Sequence, residues 1–118
     1  MSRILIIDDN ETLASGLVLM LNRMGHDAVA VNTGSKGLAS IENKDYELIV
    51  TDFRMKEMDG LELLREIKQR WPAKDVVVMT AFGSVDIAVE AMKLGAVDFI
   101  SKPFPHDTFR LKINKLLE

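Results

Sequence analysis

Five times along this chain a short, nearly unbroken apolar run is followed by a stretch whose apolar residues recur at helical spacing. The runs are Arg3–Asp8 (RILIID), His26–Val31, Tyr46–Thr51, Asp75–Thr80 with its VVVM burst, and Val97–Ser101. Between them, Thr12–Met24 carries Leu13, Leu17, Leu21 and Met24 on one helical face and stops at Gly25. Gly34–Glu42 is a weaker helix, because Gly37 sits inside it. Gly60–Trp71 lines up Leu61, Leu64, Ile67 and Trp71 before Pro72 ends it. Ser84 is placed to cap a helix running to about Leu94 and closed by Gly95. The last helix runs from about Asp107 to the end, with Phe109, Ile113, Leu116 and Leu117 inward. Strands that are apolar on both faces must be covered on both faces. Alternation with helices therefore predicts an α/β fold, a doubly wound five-stranded parallel sheet with right-handed crossovers.

Composition narrows the function classes. At 118 residues the chain is expected to form one domain over 1–118. It has no cysteine, which excludes disulfides, a thiolate nucleophile and Cys-ligated zinc. Fifteen basic against 18 acidic residues leave a net charge of −3, without the basic footprint of a nucleic-acid binder. The longest apolar run, Leu17–Leu21, is too short for a membrane span or a signal segment, so a soluble cytoplasmic protein is expected.

In a doubly wound sheet, functional groups gather outside the carboxyl ends of the strands. There the sequence places Asp8-Asp9, Asn32-Thr33, Asp52, Thr80 and Ser101-Lys102-Pro103. Each alone has an ordinary reading: a helix cap, a turn acid, a strand-ending hydroxyl, a solvated lysine. Together they form one set on one sheet edge. Two carboxylates ~5 Å apart at an effective dielectric of ~20 repel by roughly 3 kcal/mol, so three of them call for a cation or a proton. Oxygen ligands without His or Cys select a hard ion such as Mg²⁺. The Lys102 ammonium adds a positive point suited to a phosphoryl group.

These residues resemble the receiver domain of bacterial two-component response regulators over essentially the whole chain. The motifs are Asp8-Asp9, Asp52 in TDFRMKEMDG, Thr80-Ala81 after VVVM, and Lys102-Pro103 in DFISKPF. The resemblance implies a flavodoxin-like (βα)5 fold with strand order 2-1-3-4-5, and it assigns roles. Asp52 is the implied phosphoacceptor, with Mg²⁺ held by Asp8, Asp9, Asp52 and the backbone carbonyl of Arg54. Thr80 and Lys102 are the implied phosphoryl-stabilising pair, and the Lys102–Pro103 peptide bond the implied cis bond. Thr80 and Phe99 are the implied switch pair, the small Ala81 leaving room for the motion; Phe99 also fits an ordinary core position. The implied donor is a sensor histidine kinase. The segment Thr80–Phe104 most resembles receivers of sigma-54-dependent transcription activators, which implies dimerisation on phosphorylation and control of an output domain or effector. The sequence departs from the family where Lys56 replaces the usual Pro, which predicts a less rigid loop. Arg54 and Phe82 form a bulky pair at positions that tune water access, which predicts slow self-dephosphorylation.

The helix after Ser84 has apolar residues on more than one side. Val85, Val89 and Met92 fit a core face, with Asp86, Glu90 and Lys93 as the polar stripe. Ile87, Ala91 and Leu94 then form a second apolar line, expected to be an output face for dimerisation or effector docking. Arg110, Lys112 and Lys115 are expected to be a solvated basic edge of the last helix. Other readings are a stand-alone receiver acting by docking and, more remotely, a haloacid-dehalogenase-like phosphatase with Asp8 as nucleophile. A flavodoxin-type carrier is disfavoured by the acidic pair after the first strand, where the flavin phosphate would have to lie. A pseudo-receiver is disfavoured because all four key positions are present.

Overall fold

A computed structural model describes residues 1–81 and 83–118. Its elements alternate without exception: β1 (Arg3–Ile7), α1 (Glu11–Arg23), β2 (Asp27–Val31), α2 (Gly34–Asn43), β3 (Leu48–Asp52), α3 (Gly60–Arg70), β4 (Asp75–Ala81), α4 (Val85–Lys93), β5 (Asp98–Lys102) and α5 (His106–Leu117). All strand pairs are parallel, and the sheet order is β2-β1-β3-β4-β5.

Side chains alternate across the sheet, so each strand feeds two cores. Ile4, Ile6, Val50, Val77, Met79 and Ile100 face α1 and α5, where they meet Leu17, Leu21, Phe109 and Ile113. Leu5, Ile7, Ile49, Val76 and Val78 face the other way, against Ile41, Leu63, Leu64, Ile67 and Ala91. Burial on both sides explains why these strands read as continuous apolar runs rather than as alternating ones.

Local signals set the helix starts. Asn10 caps α1 by accepting from the Leu13 N–H, and Thr33 caps α2 by accepting from Lys36. Asp59 and Glu62 form a reciprocal capping box on α3. Ser84 stands at the start of α4 as expected, but its hydroxyl makes no capping bond among the described residues. Gly37, which weakens α2 on propensity, is there for closeness: a Cβ would lie 2.5 Å from Ile7 Cδ1.

The face of α4 is a correction. Ala91 is fully buried in the core against α3, and Leu94 packs on the same cluster. Ile87 is half-buried. The expected output line of Ile87, Ala91 and Leu94 is therefore the inward side. The exposed apolar line is Val85, Val89 and Met92, at 70%, 48% and 44% exposure. The two lines lie about 160° apart around the helix, and periodicity alone does not say which of two apolar lines turns to the sheet.

Lys112 is a second correction. It is not solvated: its ammonium donates to the Phe99 carbonyl at 2.9 Å and pairs with Asp98 Oδ2 at 3.2 Å. Arg110, by contrast, pairs along its own helix with Asp107.

Candidate functional site

The strand ends converge as the topology requires. β1 and β3 are neighbours, so Asp8, one residue beyond β1, comes beside Asp52, the last residue of β3. With Asp9 they offer three carboxylate oxygens within 4.8 Å of one another. Lys102, ending β5, reaches between them: its Nζ lies 2.8 Å from Asp8 Oδ2 and 3.0 Å from Asp52 Oδ1. The peptide bond between Lys102 and Pro103 is cis.

The carboxylates differ in access. Asp8 has a fully buried side chain, and both its oxygens are engaged, since Oδ1 accepts from the Asn10 N–H at 2.9 Å. Asp9 is exposed. Asp52 is buried but keeps 11% side-chain exposure, at the floor of a pocket of about 590 Å³ bounded by Leu13, Arg54, Ala81, Phe104 and His106. Arg54 lies two residues beyond Asp52 and is itself exposed.

One ammonium does not neutralise three carboxylates. Burial pushes the Asp52 carboxyl above its ordinary value; the Lys102 hydrogen bond and charge pull it back, while the charges of Asp8 and Asp9 add to the rise. For Lys102, burial works against the ammonium, but its bonds to Asp8 and Asp52 and their charges outweigh it, and its pKa is raised. The two partners thus move in the same direction for different reasons: burial is the largest influence raising Asp52, whereas at Lys102 the carboxylates outweigh burial. The site holds an excess of negative charge and a hard, oxygen-only donor set, which fits a divalent cation.

Thr80, on β4 next to Asp52, is 1% exposed, and its Oγ1 has no hydrogen-bond partner among the described residues. A buried, unpaired hydroxyl costs about 1–3 kcal/mol. Phe99 is half-buried on β5 and lines a groove of about 490 Å³ with Val85, Ala88, Val89 and Met92. Of the water-access pair, Phe82 lies outside the described residues.

Two features of the site escaped the sequence reading. Asn10 both caps α1 and fixes Asp8, a dual use hidden in the acidic run IDDNE. Gly60 lets the start of α3 close on the end of β3: its N–H donates to the Phe53 carbonyl at 2.7 Å, and a Cβ there would lie 2.7 Å from both the Asp52 carbonyl oxygen and Phe53 Cα. The signal for Gly60 was present in the MDGL turn but reads equally as a plain helix start.

Comparisons with known proteins agree with this geometry. The response regulator receiver domain family matches residues 4–114. The transcriptional regulatory protein ZraR of Klebsiella oxytoca is 40% identical over 97% of this chain, which spans 26% of that protein. The response regulator protein FleR of Pseudomonas aeruginosa is 39% identical over 87% of the chain, and 22% of its own length is covered. The chain thus spans about a quarter of the length of these curated relatives. Among solved structures, the receiver domain of NtrX from Brucella abortus superposes with a TM-score of 0.92 at 33% identity, covering 97% of both chains. The beryllofluoride-activated NtrC4 receiver domain dimer, determined in solution, gives 0.92 at 35% identity, covering 98% of this chain and 96% of that one. Fold, strand-end chemistry and these likenesses converge: the chain belongs to the receiver domain family of two-component response regulators, a family of phosphoacceptor signalling domains.

Proposed function

We propose that residues 1–118 act as a receiver whose phosphoacceptor is Asp52, supplied by the phosphohistidine of a sensor histidine kinase. An Asp52 carboxylate oxygen forms the new bond to phosphorus as the phosphorus–nitrogen bond breaks. The electron pair returns to the imidazole nitrogen, which takes up a proton from solvent. Phosphoryl transfer asks chiefly for positioning and charge stabilisation. Asp8, Asp9, Asp52 and the Arg54 carbonyl are the groups that would hold Mg²⁺, which supplies neutralisation of the phosphoryl oxygens. Lys102 is poised to pass from the Asp52 carboxylate to a phosphoryl oxygen on it, and its bond to Asp8 keeps it aimed there.

The observation that carries this reading is the Thr80 hydroxyl, buried and without a partner among the described residues. A phosphoryl oxygen on Asp52 gives it the acceptor it lacks. Its movement toward that oxygen frees space for Phe99, and α4 and β5 pass between two packed arrangements. The exposed line of Val85, Val89 and Met92 is the surface this change presents. It serves as a homodimer or effector face and leads to transcription regulation, in keeping with the transcriptional regulators the chain resembles. No helix among the described residues is long and apolar enough to cross a membrane, in keeping with action in the cytoplasm and without membrane or direct nucleic-acid contact. The Asp8 side chain is fully buried while Asp52 keeps access to the pocket, which favours Asp52 as the nucleophile and disfavours the phosphatase reading with Asp8 in that role.

Incubation with acetyl phosphate and Mg²⁺ should add one phosphoryl group, seen by intact mass, and Asp52→Asn should abolish it. Incorporation that survives in Asp52→Asn, or fails with every donor including a cognate kinase, overturns the proposal. Arg54 over the pocket favours slow loss of the group; a lifetime of seconds in the same assay contradicts that part.

A further inference from the structure

β5 ends the sheet order, so among the described residues one of its edges has no neighbouring strand. Phe99 and Ser101 point to the α4 side of the sheet, where both line the groove beside α4. The helix α5 packs on the opposite side, through Phe109 and Ile113. Lys112 of α5 nevertheless reaches round the open edge of β5. Its ammonium donates to the Phe99 carbonyl at 2.9 Å, pairs with Asp98 Oδ2 at 3.2 Å, and sits 5.6 Å from the centre of the Phe99 ring. Asp98 in turn accepts from the Phe99 N–H through Oδ1 at 2.8 Å. One cation therefore holds the backbone on both sides of Phe99 and also faces its ring.

Covering an edge strand with a lysine is an ordinary structural use, and it accounts for the carbonyl contact. It does not account for the ring. A cation over an aromatic face is attracted to it, and that attraction is lost when the ring turns away. We propose that Lys112 is a positioning residue for the aromatic switch: from across the edge of the sheet it holds the Phe99 ring on the α4 groove and so sets the bias of the unphosphorylated chain against switching. The inference rests on the phosphoacceptor reading of Asp52. In that reading the inward turn of Phe99 breaks the ring contact, and Asp98 keeps Lys112 on the strand, ready to take the ring back.

The test compares the unaltered chain, Lys112→Met and Lys112→Arg. Met keeps the aliphatic stem and removes the charge; Arg keeps a cation able to face the ring. Two quantities are read by NMR: the Phe99 ring rotamer ratio without ligand, and the beryllofluoride concentration at half-saturation with Mg²⁺. Lys112→Met should shift the rotamer ratio, and lower the half-saturating concentration, by about two- to fivefold, the range expected for a partly exposed cation–π contact. Lys112→Arg should restore both. If Lys112→Met lowers thermal stability but moves neither quantity, Lys112 is only an edge cover and the proposal is overturned. It is equally overturned if the half-saturating concentration rises. If the unaltered chain gives no beryllofluoride response, the phosphoacceptor reading has failed instead, and a rotamer shift in Lys112→Met still supports the hold on the ring.

Discussion

The carboxylate crevice and the α4–β5 groove share strand β5 but are built on opposite terms. The crevice is polar, and its residues are placed by strand ends: Asp8, Asp52 and Lys102 each stand where an apolar run stops. The groove is apolar, and its walls are set by how one short helix is rotated about its axis. Strand ends in a parallel sheet have only one direction in which to gather. A nine-residue helix with two apolar lines beside one polar stripe has more than one orientation it can choose from. Function read from strand termini is thus constrained by topology, whereas function read from helix faces hangs on packing choices made elsewhere.

Three measurements sharpen that contrast. The largest effect is expected on α4 itself. Ala91→Asp buries an unpaired charge where nothing is exposed, and it should cost about 3 kcal/mol or more in urea unfolding. Val89→Asp, at a site 48% exposed, should stay within about 0.5 kcal/mol while weakening any association of the phosphorylated state. A larger loss in Val89→Asp than in Ala91→Asp would restore the opposite assignment of the faces. Next comes Gly60→Ala, which forces a methyl group against the backbone at the end of β3. It should destabilise by about 1–3 kcal/mol and slow acetyl phosphate labelling, because the displaced backbone carries Asp52. Labelling at the ordinary rate would show that this close approach serves stability alone.

The smallest effect concerns pH. The Asp52 pKa is raised in the folded chain above the ordinary 3.8. The folded state therefore holds the Asp52 proton more tightly than the unfolded one, and stability tied to this group is present below the ordinary value and lost as pH rises through the raised one. Asp52→Asn, which mimics the protonated form, should raise Tm at neutral pH in EDTA, and the gain should fade on acidification toward that ordinary value. A gain that grows on acidification would reverse the sign of the charge imbalance. Added Mg²⁺ should shrink the difference, by stabilising the unaltered chain.

The sequence made the fold readable because each apolar run is short, uninterrupted and followed by a helical period. The strands and helices fall within a few residues of where these patterns put them. Asp8, Asp9, Asp52, Thr80 and Lys102 could be gathered for the same reason. What stayed hidden was information carried by distance rather than by pattern. Gly37 looks like a flaw in a helix until Ile7 is seen pressed against it, and Gly60 looks like a helix start until the end of β3 appears beneath it. Lys112 looks like one of three surface charges until its stem is followed around a sheet edge. The faces of α4 were reversed because two apolar lines on one helix leave the phase open.

The bond from Lys102 to Asp8 joins residues 94 positions apart. Contacts of such long span form late relative to local ones, since the intervening chain must first be ordered. The crevice therefore has no early form: β1 and β3 can pair while the lysine between their carboxylates is still missing. On the proposed reading of Asp52, a chain in which β5 has not docked lacks the ammonium that would meet the phosphoryl group.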